Sequence, residues 1–211
     1  MTAARPRAPG RRSRRGGWRA AELVALDFET TGLDLDRDEV ISFGLIPIRG
    51  GRIDLSGQVY EEVAPRVDPS HSSIRIHHLR AQDLATAPAM PQVLDAFRDE
   101  LDGRFILAWA AGVEIAFLRK VFGGRRRTWR TRTIDVRTLI MAVERPRGGG
   151  RGPGYYALAA AAERFGVPVE ETHHALDDAF MTAELFLVAA NALETRGSGS
   201  IRDLLRVTAR G

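Results

Sequence analysis

The chain has 211 residues, 44% hydrophobic and 27% charged, which suits one domain with a sizeable core. It has no cysteine, which excludes disulfides, thiolate catalysis and cysteine-based zinc sites. Net charge is +4, but residues 1–20 hold seven arginines and no acid, which leaves 24 basic against 27 acidic residues in the body.

Residues 1–20 are rich in Arg, Pro, Gly and Ala and show no apolar period, so they predict a disordered basic arm. Such an arm either attracts phosphates or is an inert solvated tail. No apolar segment follows these arginines, and no run approaches 18 apolar residues, so the expectation is a cytoplasmic protein with no membrane partner. The folded domain is expected over 21–196. Leu23–Leu26 is a short apolar run, consistent with a buried strand. Val40–Ile48 and Ile53–Val63 read as two more strands, joined by a turn at Gly50–Gly51. Pro91–Leu101 has helical spacing through Val93, Leu94, Phe97 and Leu101. Phe105–Ala108 reads as a fourth strand, Val113–Phe122 as a helix and Thr133–Val136 as a fifth strand. Pro146–Gly154, with five glycines and two prolines, predicts a mobile loop. Tyr156–Phe165 and Ala175–Leu193 read as helices, and 197–211 as a flexible tail with room for a short helix near Ile201–Val207. A strand meander followed by alternating strands and helices predicts an α/β domain with a mixed five-stranded sheet flanked by helices.

Three stretches carry carboxylates in places a plain core would not need them. Asp27 and Glu29 lie two apart at the end of an apolar strand, so alternation puts both on one face, with Cα atoms roughly 6.5–7 Å apart. Either they mark a solvated strand end or a cation compensates them. On a helix Glu114 shares a side with Phe117, Leu118 and Val121. His173-His174-Ala175-Leu176-Asp177-Asp178 opens a long helix; His173 and Asp178 converge only if the histidine sits on the preceding loop. Four carboxylates and a histidine suit a hard cation, Mg²⁺ or Mn²⁺, and two such ions about 3.5–4 Å apart make a phosphoryl-transfer site.

From Glu22 to Leu193 these residues resemble the DEDDh 3′–5′ exonucleases, a family with a ribonuclease H-like fold that includes the epsilon proofreading subunit of bacterial DNA polymerase III. The first motif, Asp-x-Glu-Thr-Thr-Gly, stands at Asp27 to Gly32, and Ile74 to Leu79 follows in the expected order. The last motif, His-x4-Asp, fits His173 to Asp178 and selects them over His174 and Asp177. The middle motif departs: Trp109-Ala110 replaces the usual His-Asn, and Glu114 replaces an aspartate. The resemblance implies that Asp27, Glu29, Glu114 and Asp178 hold two Mg²⁺ or Mn²⁺ ions and that His173 is the general base. It implies release of nucleoside 5′-monophosphates from the 3′ end of a single strand, DNA favoured and RNA left open, by either a polymerase-bound subunit or a free-standing enzyme. It also implies that Glu29 touches the 3′-hydroxyl and that Thr30, Thr31, Gly32 and Leu33 seat the last nucleotide. The arginines Arg125, Arg126, Arg127, Arg130 and Arg132 either steer phosphates, with Trp129 among them to stack on a base, or form a solvated basic loop. The competing reading is an exonuclease-like module, impaired by Glu114, that binds nucleic acid or a polymerase.

Overall fold

The computed structural model describes residues 5–10, 15–144, 154–169 and 173–209. Its centre is strand β1 (Leu23–Thr30), which outruns the predicted Leu23–Leu26 and carries Asp27 and Glu29 within the strand. β1 pairs antiparallel with β2 (Val40–Arg49) and parallel with β5 (Phe105–Ala108), which pairs parallel with the edge strand β6 (Thr133–Asp135). On the outer side of β2 lie β3 (Arg52–Ile53) and β4 (Val59–Glu62). The sheet therefore has six strands in a mixed arrangement, not five. The reason is local: a 3₁₀ turn at Leu55–Gly57, capped by the Asp54 carboxylate on Ser56 N–H, breaks the expected Ile53–Val63 strand in two. The Gly50–Gly51 turn is as expected, both residues taking positive φ.

Helices cover both faces, because β1 is apolar on both sides. Leu23 and Ala25 face a core built largely from the helices α5 (Val136–Glu144), α6 (Leu158–Phe165), α7 (Ala175–Glu194) and α8 (Ile201–Thr208). Val24, Leu26 and Phe28 face the opposite core, with α2 (Met90–Leu101), α3 (Gly112–Phe122) and α4 (Arg126–Arg130). A short α1 (His71–His77), which periodicity did not reveal, contains the first histidine of the Ile74–Leu79 segment.

Both ends depart from the expected arm and tail. Among residues 1–20, Trp18 is buried, meets Phe186 edge-on at 5.7 Å and donates from Nε1 to Glu194 at 3.3 Å. Arg7 pairs with Asp102 at 2.8 Å. The described part of the arm is thus docked, because a tryptophan and two ion pairs outweigh the composition around them. In 197–211 the predicted short helix is present as α8, and it is no loose tail. Ser200 caps it, Ile201 and Leu204 are fully buried, and Gly17 bridges to Ser200. The loop expected over Pro146–Gly154 lies outside the described residues apart from Gly154. Among the described residues no helix is long and apolar enough to cross a membrane.

One glycine sets how α7 meets the sheet. Gly44 pairs with Asp27 across the β1–β2 ladder. A Cβ there would collide with the Ala175 carbonyl and stand 2.5 Å from Leu176 Cα. Only the bare backbone lets the start of α7 lie directly on β2. Gly44→Ala should therefore lower stability by about 1–3 kcal/mol, since backbone rather than a flexible side chain must yield. Urea unfolding checks this, and wild-type stability would contradict the close approach.

Candidate active site

The site forms where β1 meets the first turn of α7. Asp27 and Glu29 alternate onto the face that α7 covers, continuing the row of Leu23 and Ala25. Asp178 stands in the first helical turn, where a carboxylate faces the positive end of the helix dipole. One ligand atom from each of Asp27, Glu29 and Asp178 lies within 4.8 Å of the others. Glu114 reaches the same pocket from α3, in the opposite layer, and so has to come around the strand end. It is buried beside Asp27 but outside that 4.8 Å group.

The electrostatics follow from like charges sharing a dry pocket. Burial first, then Glu114, Asp178 and Glu29, push the Asp27 carboxyl far above its ordinary range. Burial, then the Asp178 charge, pushes Glu29 up to about 8. Burial raises Asp178 to about 6, opposed by its bond from the His173 N–H. Burial also raises Glu114, with the charge of Asp135 adding to it. Glu114 Oε2 and Asp178 Oδ1 are buried without a hydrogen-bond partner. Orphaned carboxylate oxygens around Asp27 fit a hard divalent cation, which takes oxygen ligands and removes the repulsion.

His173 is exposed on the loop before α7, at φ 65°, where its backbone N–H donates to Asp178 Oδ2 at 3.2 Å. That left-handed turn resolves the spacing problem: the histidine is off the helix and beside Asp178. His174 instead lies against the Tyr60 ring, centroids 4.5 Å apart, and pairs with Asp177 at 3.0 Å.

Several sequence-predicted substrate contacts are corrected. Trp129 is 1% exposed in the core, its Nε1–H spent on the Gly123 carbonyl at 2.9 Å, so it presents no ring to a base. Arg132 is buried and donates to the carbonyls of Pro6, Leu101 and Arg104. Thr31 is fully buried, its hydroxyl donating to Asp38 at 3.0 Å and accepting from Glu39 N–H at 3.0 Å. Thr30 donates to the Gly32 carbonyl at 2.8 Å. A Cβ at Gly32 would meet Asp38 Cγ at 2.8 Å, so any larger residue there must displace the Asp38 carboxylate that Thr31 holds. These residues shape the loop and leave Leu33 projecting from it, 72% exposed. Arg125, Arg126 and Arg127 are exposed, as expected of a rim.

Sequence reading missed Tyr60, Asp135 and any role for His77. Burial, then the charge of Glu62, pushes the Tyr60 hydroxyl up to about 12. Asp135 ends β6 level with Ala108, two strands from β1, so an acid at the end of a parallel strand was the available signal. His77 is buried, with Nδ1 accepting from Leu79 N–H at 3.1 Å.

The exonuclease family model, RNase_T, matches residues 24–186. A DNA polymerase III PolC-type from Thermotoga maritima is 33% identical over 188 residues, covering 87% of this chain and 13% of the polymerase. A DNA polymerase III subunit epsilon-like protein from Rhodobacter capsulatus is 31% identical, covering 83% and 24%. The chain thus spans a small fraction of these relatives' length. Among solved structures, E. coli Exonuclease I with a dT13 oligonucleotide aligns with TM-score 0.71 at 14% identity, covering 84% of this chain and 42% of that one. The nuclease domain of 3′hExo, described as a DEDDh family member bound to rAMP, aligns with TM-score 0.65 at 16% identity, covering 85% and 95%.

A pH dependence follows from the carboxylates. Glu29 holds its proton more tightly folded than unfolded, so its contribution falls as pH rises from 4.5 towards about 8. His77, held low by burial, acts in the opposite sense, so the informative quantity is a difference between variants. In chelator, Asp27→Asn should melt above wild type, with a gap that widens from about pH 5 to about pH 8. Thermal melts check this; a gap that closes with rising pH would contradict the repulsion.

Proposed function

The chain belongs to the exonuclease family, and from that membership and its acidic pocket we propose a metal-dependent 3′–5′ exonuclease of the DEDDh type that releases nucleoside 5′-monophosphates from single-stranded DNA. The observation that carries the reading is the meeting of Asp27, Glu29 and Asp178 from two distant stretches, Glu29 and Asp178 buried and Asp27 half-buried, with no cationic side chain in the group. Asp27, Glu29, Asp178 and Glu114 would hold two Mg²⁺ or Mn²⁺ ions. Such ions lower the pKa of a water and stabilise charge on the phosphate.

The chain's own groups do the rest. His173, open to solvent beside Asp178, would take a proton from a water attacking the phosphate. Glu29 faces the place for the terminal 3′-hydroxyl, and the projecting Leu33 packs against the last base. Glu114 comes from the opposite layer, and its extra methylene lengthens the arm that must round the strand end. The DNA preference is supported by relatives named as DNA polymerase III proteins, and a polymerase is the partner we propose.

The competing reading, an impaired module that binds nucleic acid or a polymerase, is favoured by Glu114 lying outside the 4.8 Å group. A 5′-labelled oligonucleotide titrated with Mn²⁺ separates the two. Wild type should shorten it from the 3′ end, Asp27→Ala should not, and Glu114→Asp should be at least as fast as wild type. No shortening at high enzyme, with binding retained, would favour the impaired module. Loss of activity in Glu114→Asp would make the longer side chain an adapted ligand.

A further inference from the structure

A second feature lies around the β6 edge, beside the carboxylate cluster but lined by none of its four acids. A groove of about 1190 Å³ runs between α3, α4, α5 and α8. Its walls carry Arg126, Arg127 and Arg130 from α4, Arg137 from α5, and Arg202 and Arg206 from α8; Arg15 closes one side. The acid in its lining is Asp135.

Arginine alone proves little in a chain where 30 of 31 basic residues are arginine. Pairing separates them in degree: outside the groove Arg37, Arg52, Arg75, Arg119 and Arg196 also have no acidic partner among the described residues, while eight others there have one. Among the described residues, Arg7, Arg19, Arg49, Arg66, Arg80, Arg98, Arg104 and Arg164 each pair with an acid. In the groove Arg206 pairs with Asp203 at 3.4 Å. Arg15, Arg126, Arg127, Arg130, Arg137 and Arg202 have no acidic partner among the described residues. Like charges gathered in a concave surface focus a positive potential and repel one another until a polyanion enters. Three loci far apart in sequence contribute, so no single arginine-rich run explains it. The groove also begins at the right place. Ala111 and Gly112, where α3 starts, line it, and Asp135 in its wall is the acid whose charge reaches Glu114.

We propose that this groove carries the sugar-phosphate backbone of the single strand 5′ to the nucleotide being removed, running from the carboxylate pocket across α4 and α5 to α8. This rests on the nuclease reading above. With Trp129 buried, the groove's lining has no aromatic ring, so it holds phosphates and is indifferent to base sequence. It gives α8 a function: the helix completes the far wall of the track.

The test compares Arg137→Ala/Arg202→Ala, both exposed, with Arg49→Ala/Arg52→Ala, which removes equal charge from the opposite sheet edge. Substrates are the p-nitrophenyl ester of thymidine 5′-monophosphate, too small to reach the groove, and 5′-labelled oligo-dT of four and sixteen nucleotides. Binding of the uncleaved sixteen-mer is followed by fluorescence anisotropy in chelator. For the groove variant, kcat/KM and affinity for the sixteen-mer should fall about tenfold, with a salt slope shallower by roughly 1.4, while the ester is hydrolysed as by wild type. The control variant should keep the wild-type preference for the longer strand. Equal losses in both variants, or an unchanged sixteen-mer in the groove variant, would overturn the track. If wild type hydrolyses neither substrate, the nuclease reading fails, and the anisotropy comparison still decides whether the groove binds a strand.

Discussion

The arrangement turns on mutual repulsion between acids that the fold holds together away from water. Among the described residues, no arginine or lysine compensates Asp27, Glu29, Asp178 or Glu114. Proton uptake or a divalent ion must relieve them. The rest of the domain supplies the stability that lets this patch stay unfavourable. Apolar cores on both faces of the sheet clamp β1, and a carboxylate in the first turn of α7 is favoured by the helix dipole.

The two-layer construction explains why the four acids are not equivalent. Three come from one side of the sheet and face one another directly. Glu114 belongs to the other side and reaches the pocket around the end of the strand. Its helix follows Ala110, a non-glycine residue at φ 54°, in the left-handed region. The segment that replaces the usual His-Asn is therefore one of three places among the described residues where a non-glycine residue takes positive φ.

Much of this was legible in the sequence, and the limits have physical causes. Strand alternation placed Asp27 and Glu29 on one face, and the five-residue spacing from His173 to Asp178 required the loop that is found. Membership of an exonuclease family followed from motifs that local spacing preserves. What escaped was tertiary. Trp129 sits among exposed arginines, and nothing local says that its ring turns inward. The N-terminal segment looks disordered by composition, yet Trp18 finds Phe186, far along the chain. Gly44 looked like one glycine of 21, because its role depends on a helix more than a hundred residues away. Thr31 matched the motif but serves the loop's own hydrogen bonds.

The sheet ends on one side in β6, only three residues long. Such a border offers unpaired backbone groups to any passing strand, including that of a second molecule. Here guanidinium groups line its approach, so two copies meeting border to border would bring cation against cation. The same charges that would welcome a polyphosphate thus guard against sheet extension and aggregation. That guard weakens in high salt, where self-association along β6 becomes less opposed.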